Sequence, residues 1–317
     1  MEFLTHDFIP YFILAVGYGI PILYGTLGGI LAEKAGNINL GIEGMMLMGA
    51  AAGFLVSLST ENVIYGLLAA VLAGGFGALI YAFLTVSLKA NQIVTGLALT
   101  IFGAGMTKFL LNLNKEVVRI PNSVQKSLKP ILSDVLGIEG LEHSIFKIFD
   151  LSILVYLAFL IAIVLHFYLN HTRYGLNLRA VGENLAAADA AGINVNLYKY
   201  VHVVLGGALC GLGGAYLSMY YIPIKTEDVV HGNGWIAVAL VIFVSWKPLR
   251  AIIGSLLFGA LSLLGKSLQT GVSLSPYLLD MLPFIVTILV LIITSVQMSK
   301  ENAQPRSCGL NFDREER

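Results

Sequence analysis

Two stretches of this sequence come close to spelling a catalytic motif. GALSLLGKS at 259–267 approaches the phosphate-binding pattern of glycine, four residues, then Gly-Lys-Ser. Five residues separate Gly259 from Gly265, and Ala260 holds the position that needs glycine. The surrounding run is apolar rather than strand, loop and helix. A phosphate cradle is therefore not expected, and Lys266 reads as a residue at the edge of an apolar span with its amine reaching water. SVQK at 123–126 matches the Ser-x-x-Lys of penicillin-recognising enzymes. It sits in a polar loop without that family's companion motifs, so it reads as a chance match. The six histidines are scattered without ligand spacing. Cys210 lies in an apolar run and Cys308 in a polar tail, so neither a zinc site nor a disulfide is expected. No nucleophile–base pair stands out, and no cofactor is implied.

The remaining polar groups lie hard against apolar runs. Glu33, Lys34, Asn37, Asn39 and Glu43 cluster between the first two such runs. Ionisable groups at such places face a cavity or a partner. Glu43 precedes GMMLMG and is placed to cap a broken helix start. The cluster is either a substrate-facing element or a joint between helices, with Glu33 and Lys34 interfacial; the charge-based orientation below favours the joint. Asn91, Gln92 and Thr95 open another run as NQIVTG. They suit a neutral, hydroxyl-rich solute, and equally suit hydrogen bonds between helices. Asn233 and Trp235 follow EDVVHGNG and could line an outer mouth, although Trp235 also fits an interfacial anchor.

The elements that position these groups follow from hydropathy. Hydrophobic residues make up 57% of the 317, charged residues 12%, and net charge is zero. Mean hydropathy is +0.81. A soluble domain carries about 25% charge, so lipid is the solvent that fits. The neutral balance points away from nucleic acid. A spanning helix needs about 20 apolar residues. Eight or nine segments qualify, near 9–31, 43–60, 62–88, 92–111, 151–170, 200–220, 235–246, 250–271 and 278–298. The seventh is short enough to cross only halfway. The fold class is thus an all-α polytopic bundle of about eight to ten transmembrane helices, occupying 1–299, with a polar tail at 300–317 that is expected to be disordered. The opening MEFLTHDF lacks the basic region of a cleaved signal peptide, so the first run reads as a retained helix.

Short-loop Lys/Arg bias sets orientation. Lys34, Lys89, Arg173, Arg179, Lys199, Lys247, Arg250 and Lys300 fall on one side, and the turns near Thr60 and Ser275 carry none. The 171–200 loop is therefore expected in the cytoplasm, and an odd helix count would put the N-terminus outside. The long 112–150 loop is weak evidence either way. Small-residue pairs Gly25/Gly29, Gly49/Gly53 and Gly207/Gly211 read as helix-packing seams.

Within 171–200, residues 184–191 have high helix propensity and almost no charge. Asn184 is placed as N-cap and Gly192 as the C′ residue. A short alanine-faced helix is marginal alone in water. It makes sense docked into a groove of a partner; otherwise it is a connector lying on the bilayer.

RAVGENLAAADAAGINV (179–195) resembles the cytoplasmic coupling loop of ABC importer permeases. LAEKAGNINLGIEGMMLMGA (31–50) resembles the first signature of the branched-chain amino acid/simple-sugar permease family, nearest to its nucleoside and simple-sugar group. The older EAA-x-x-x-Gly consensus is partly met: Ala186 stands where Glu would be, with Ala187, Ala188 and Gly192 in frame and Glu183 earlier. The resemblance implies a permease subunit for nucleosides, with simple sugars as the near alternative, in the cell membrane. It implies an ABC ATPase subunit engaging Gly182, Glu183, Asn184, Ala186, Ala187, Ala188 and Gly192. It further implies a second, longer permease subunit and a Bmp-like substrate-binding lipoprotein, with ATP hydrolysis on the separate ATPase. An ion-coupled secondary transporter is the contrasting class, and it would place acidic or histidine residues deep within spans.

Overall fold

A computed structural model describes residues 9–113, 119–128, 151–269, 278–279, 281–296 and 303–312. Twelve helices are named here: α1 (Ile9–Lys34), α2 (Ile42–Thr60), α3 (Val63–Ala82, continued by a π-helical turn Phe83–Ser87), α4 (Gln92–Asn112), α5 (Asn122–Leu128), α6 (Ile153–His171), α7 (Arg173–Glu183), α8 (Leu185–Ala190), α9 (Val195–Ala215, ending in a π-helical turn Tyr216–Tyr221), α10 (Asn233–Phe243), α11 (Pro248–Gln269) and α12 (Leu282–Val296). Among the described residues, seven helices are long and apolar enough to cross a membrane. SVQK lies on the short helix α5, and GALSLLGKS lies inside the continuous helix α11, where successive N–H groups are committed to helical bonds. Most of the 112–150 loop and the turn near Ser275 lie outside the described residues.

Helix α1 is the hub. It packs on α9, α10 and α11, and it is buried nearly all round, as a helix without a polar face must be. Backbones meet where glycine permits. A Cβ added to Gly49 would stand 2.4 Å from Gly211 Cα, and one on Gly28 would stand 2.4 Å from the Gly206 carbonyl oxygen. In lipid, where apolar surface alone drives little association, such approaches supply the packing. The opposite surface is built for lipid: Leu72, Phe76, Ile101, Phe109, Phe167 and Ile253 are large, apolar and exposed.

Helix α10 is the short seventh run. Its 11 residues rise about 16 Å, roughly half of a 30 Å hydrocarbon core. Ser245 and Trp246 (φ 53° and 55°) then end it sharply.

The polar stretches diverge from expectation in two places. The span placed at 200–220 begins at Val195, so Lys199, read as a loop charge, is on α9 and only 2% exposed. The tail, expected to be disordered, is packed over 303–312: Pro305 and Ser307 are buried, and the Ser307 N–H donates to the Gly182 carbonyl at 2.8 Å. Composition misled here because a polar segment needs no apolar core when it docks by backbone hydrogen bonds on other elements.

Candidate functional site

At one end of the bundle, α7, α8 and the start of α9 form a projecting unit. Asn184 caps α8 by accepting the Ala187 N–H at 3.0 Å, and Gly192 adopts φ +80° just beyond it. Both local expectations hold. The outer face of this unit is Glu183, Asn184, Ala186, Ala187, Ala190 and Gly192, all exposed. A Cβ on Gly192 would meet nothing within 4 Å, so its glycine answers to backbone conformation, not crowding. The inner face is Val181, Leu185, Ala188 and Val195, a small apolar cluster. Gly182 also faces inward, where an added Cβ would stand 2.4 Å from the Lys34 carbonyl oxygen. Of the seven residues expected at this surface, Gly182 and Ala188 therefore hold the unit in place, and the other five are exposed.

The polar cluster between α1 and α2 is a set of joints. Glu33, expected at the interface, is buried and accepts the Trp246 indole N–H at 2.6 Å. Asn37 donates to Thr85 Oγ1 at 3.2 Å. Asn39 accepts the Gly41 N–H at 2.9 Å, its amide reaching Met45 Sδ. Tyr81 donates its hydroxyl to the Ile38 carbonyl. Glu43 does cap a helix start, but the helix is α10, not its own α2. Its carboxylate accepts the N–H groups of Gly232 (2.9 Å) and Gly234 (2.6 Å). The positive end of the α10 dipole and two otherwise orphaned donors are satisfied together.

The NQIVTG residues are likewise tied up. Asn91 caps α4 through Ile93 and Val94. Gln92 accepts the Ile38 N–H at 2.8 Å and donates to the Leu310 carbonyl at 3.3 Å. Thr95 bonds back to the Asn91 carbonyl at 2.7 Å.

Asn233, another of the pathway candidates, lines a cavity of about 350 Å³ above the start of α10. Its walls include Tyr18 from α1, Tyr221 from the π-helical end of α9, Lys266 from α11 and Phe284 from α12. The Tyr18 and Tyr221 rings meet edge-on at 5.0 Å, and the Lys266 amine sits 4.5 Å from the Tyr18 centroid. The volume lies within the range of small-molecule sites. Aromatic walls with an amide and a cation suit a flat polar solute. Sequence reading missed Tyr18, Tyr221 and Phe284 because single tyrosines and phenylalanines in spans carry no local pattern. The tyrosine-rich YLSMYYIP at 216–223 was the one legible signal. Among the described residues no group of three His, Cys, Asp or Glu could hold a metal.

Long apolar helices around one short apolar helix define a multi-pass membrane protein. The family model for the branched-chain amino acid transport system / permease component matches residues 11–291, and the chain belongs to that family. It is the permease subunit of an ABC transporter, a class that works with an ATPase subunit and a second permease. It is 33% identical to a nucleoside ABC transporter permease protein of Lactococcus lactis, over 93% of this chain and 94% of that protein. It is 34% identical to a guanosine ABC transporter permease protein of Bacillus subtilis, over 86% and 88%. It is 36% identical to a putative glucose ABC transporter permease protein of Haloferax volcanii, over 80% and 77%.

Proposed function

We propose that this chain imports nucleosides across the cell membrane as one half of a permease pair, the other half being a longer paralogue. Its exposed Glu183–Gly192 surface seats in a groove of the ATPase subunit, on the cytoplasmic side that the Lys/Arg bias indicates. A substrate-binding lipoprotein delivers solute from outside, lipid surrounds the bundle, and ATP is hydrolysed on the separate ATPase subunit. The single observation that carries this reading is the capped α8 helix. Its outward side chains are alanines, small enough for a partner backbone to approach, and its inward side chains anchor it to the bundle.

Nucleosides are favoured over sugars by the cavity above α10, where Tyr18, Tyr221 and Phe284 offer rings to a nucleobase and Asn233 offers an amide. The names carried by the Lactococcus and Bacillus relatives support the same solute, and the Haloferax name supports glucose as the second reading.

The test is uptake and ATP hydrolysis by the assembled complex in lipid vesicles. Ala187→Trp and Gly192→Trp are expected to lower solute moved per ATP by at least about fivefold while the complex still assembles. Normal uptake by both variants overturns the coupling assignment. Competition of labelled guanosine uptake by glucose, without effect in the nucleoside reading, decides the solute.

A further inference from the structure

The packed tail segment 303–312 touches α1, α4, α7, α9 and the α3–α4 junction at the α8 end of the bundle. Its Ser307 N–H bonds the Gly182 carbonyl at the end of α7. Its Cys308 thiol donates to the Glu33 carbonyl at the end of α1, at 3.1 Å. The Leu310 carbonyl accepts from the Lys199 ammonium on α9 (3.1 Å) and from Gln92 on α4 (3.3 Å). Asn311 donates to the Lys89 carbonyl at the α3–α4 junction, at 2.5 Å. Phe312 packs on the apolar cluster beneath α8. A tight turn makes this reach possible: Leu310 N–H bonds the Ser307 carbonyl at 3.1 Å, and Gly309 takes φ +83°.

The mechanical need is specific. A helix of six residues cannot act as a lever by itself. Helix α8 packs chiefly on its chain neighbours α7 and α9, and Gly182 seats the end of α7 on the Lys34 carbonyl of α1, so motion imposed on the outer face of α8 is spread further if that hairpin is also fastened to α4 and the α3–α4 junction. The Ser307 bond to Gly182 runs backbone to backbone and carries no rotamer freedom, and the Cys308 and Asn311 side chains add bonds to the fixed carbonyls of Glu33 and Lys89. The Lys199 ammonium is buried, and its bond to Leu310 ties α9 into the same fastening, because losing that acceptor would leave a buried charge without it.

We propose that residues 303–312 are a clasp that transmits displacement of the α8 surface to α1 and α4, so that Ser307, Leu310 and Phe312 are positioning residues for transport. This rests on the coupling role proposed for α8. The experiment compares four versions of the full complex in vesicles: unaltered, Ala187→Trp, a chain ending at Asn302, and Phe312→Ala. Expected results for the last two are assembly with both partners and retained ATP hydrolysis, with solute moved per ATP down by at least about fivefold for the truncation and partly for Phe312→Ala. Amide exchange across 184–192 should also rise in both. If Ala187→Trp uncouples while the truncated chain transports at the unaltered ratio, the clasp is refuted and the coupling surface stands. If Ala187→Trp has no effect, the coupling role itself fails. Should the truncated chain not assemble, Phe312→Ala decides, and an unaltered transport ratio with unchanged exchange overturns the clasp.

Discussion

The Glu43 carboxylate accepts the Gly234 N–H at 2.6 Å across 191 positions of sequence, so α2 caps the half-helix α10. This contact sets where α10 begins and hence the floor of the aromatic cavity above it. Glu43→Ala should leave the buried Gly234 N–H and the half-buried Gly232 N–H without their acceptor and cost about 2 kcal/mol. Glu43→Gln keeps one acceptor oxygen and should cost less than half of that. Thermal unfolding of the purified complex in detergent measures both, and equal losses would contradict the capping role.

The Trp246–Glu33 bond at 2.6 Å closes the other end of α10 onto α1. Trp246→Phe removes the donor and leaves a buried carboxylate, with an expected loss of about 3 kcal/mol. Adding Glu33→Leu to Trp246→Phe should recover part of it, because replacing both partners by apolar groups is cheaper than orphaning one. A double-mutant cycle reads the coupling directly.

Glycine substitutions should separate the packed seam from the lipid face. Gly49→Ala puts a methyl 2.4 Å from Gly211 Cα and should destabilise by about 1–3 kcal/mol. Gly105 has nothing within 4 Å of an added Cβ, and Gly105→Ala should be neutral or stabilising by up to about 1 kcal/mol. The pair of melting temperatures checks this, and similar shifts would refute the seam.

Cys308 gives a chemical handle on the tail. Burial first, and the Glu33 carboxylate second, push its thiol above the ordinary range. The thiol therefore stays protonated at neutral pH, and because the thiolate is the nucleophile, alkylation should be slow. Raising the pH through the ordinary thiol range should speed it less than it speeds a small free thiol. Phe312→Ala, which loosens the tail, should restore the ordinary profile. Iodoacetamide labelling followed by mass spectrometry provides the rates.

The aromatic cavity is checked through the kinetics of uptake. Tyr221→Ala and Asn233→Ala should each raise the half-saturating solute concentration or lower the maximal rate by about tenfold, as loss of a stacking ring or a directed hydrogen bond does. Thr95→Ala, which removes only a bond to its own helix, should leave uptake unchanged.

Residue order alone determined the features whose causes are local. Apolar runs reported the spans, because lipid demands length and hydropathy in one continuous stretch. Asn184 and Gly192 reported the α8 boundaries, because caps act within four residues. The glycine pairs marked the seams for the same reason. Tertiary structure decided which helix Glu43 caps, that Gln92 bonds Ile38 and Leu310, and that the polar segment 303–312 is packed on the bundle. It also decided which tyrosines share a cavity wall. Each of these rests on a partner dozens to hundreds of residues away, and a hydrogen bond between distant elements leaves no periodicity in either one.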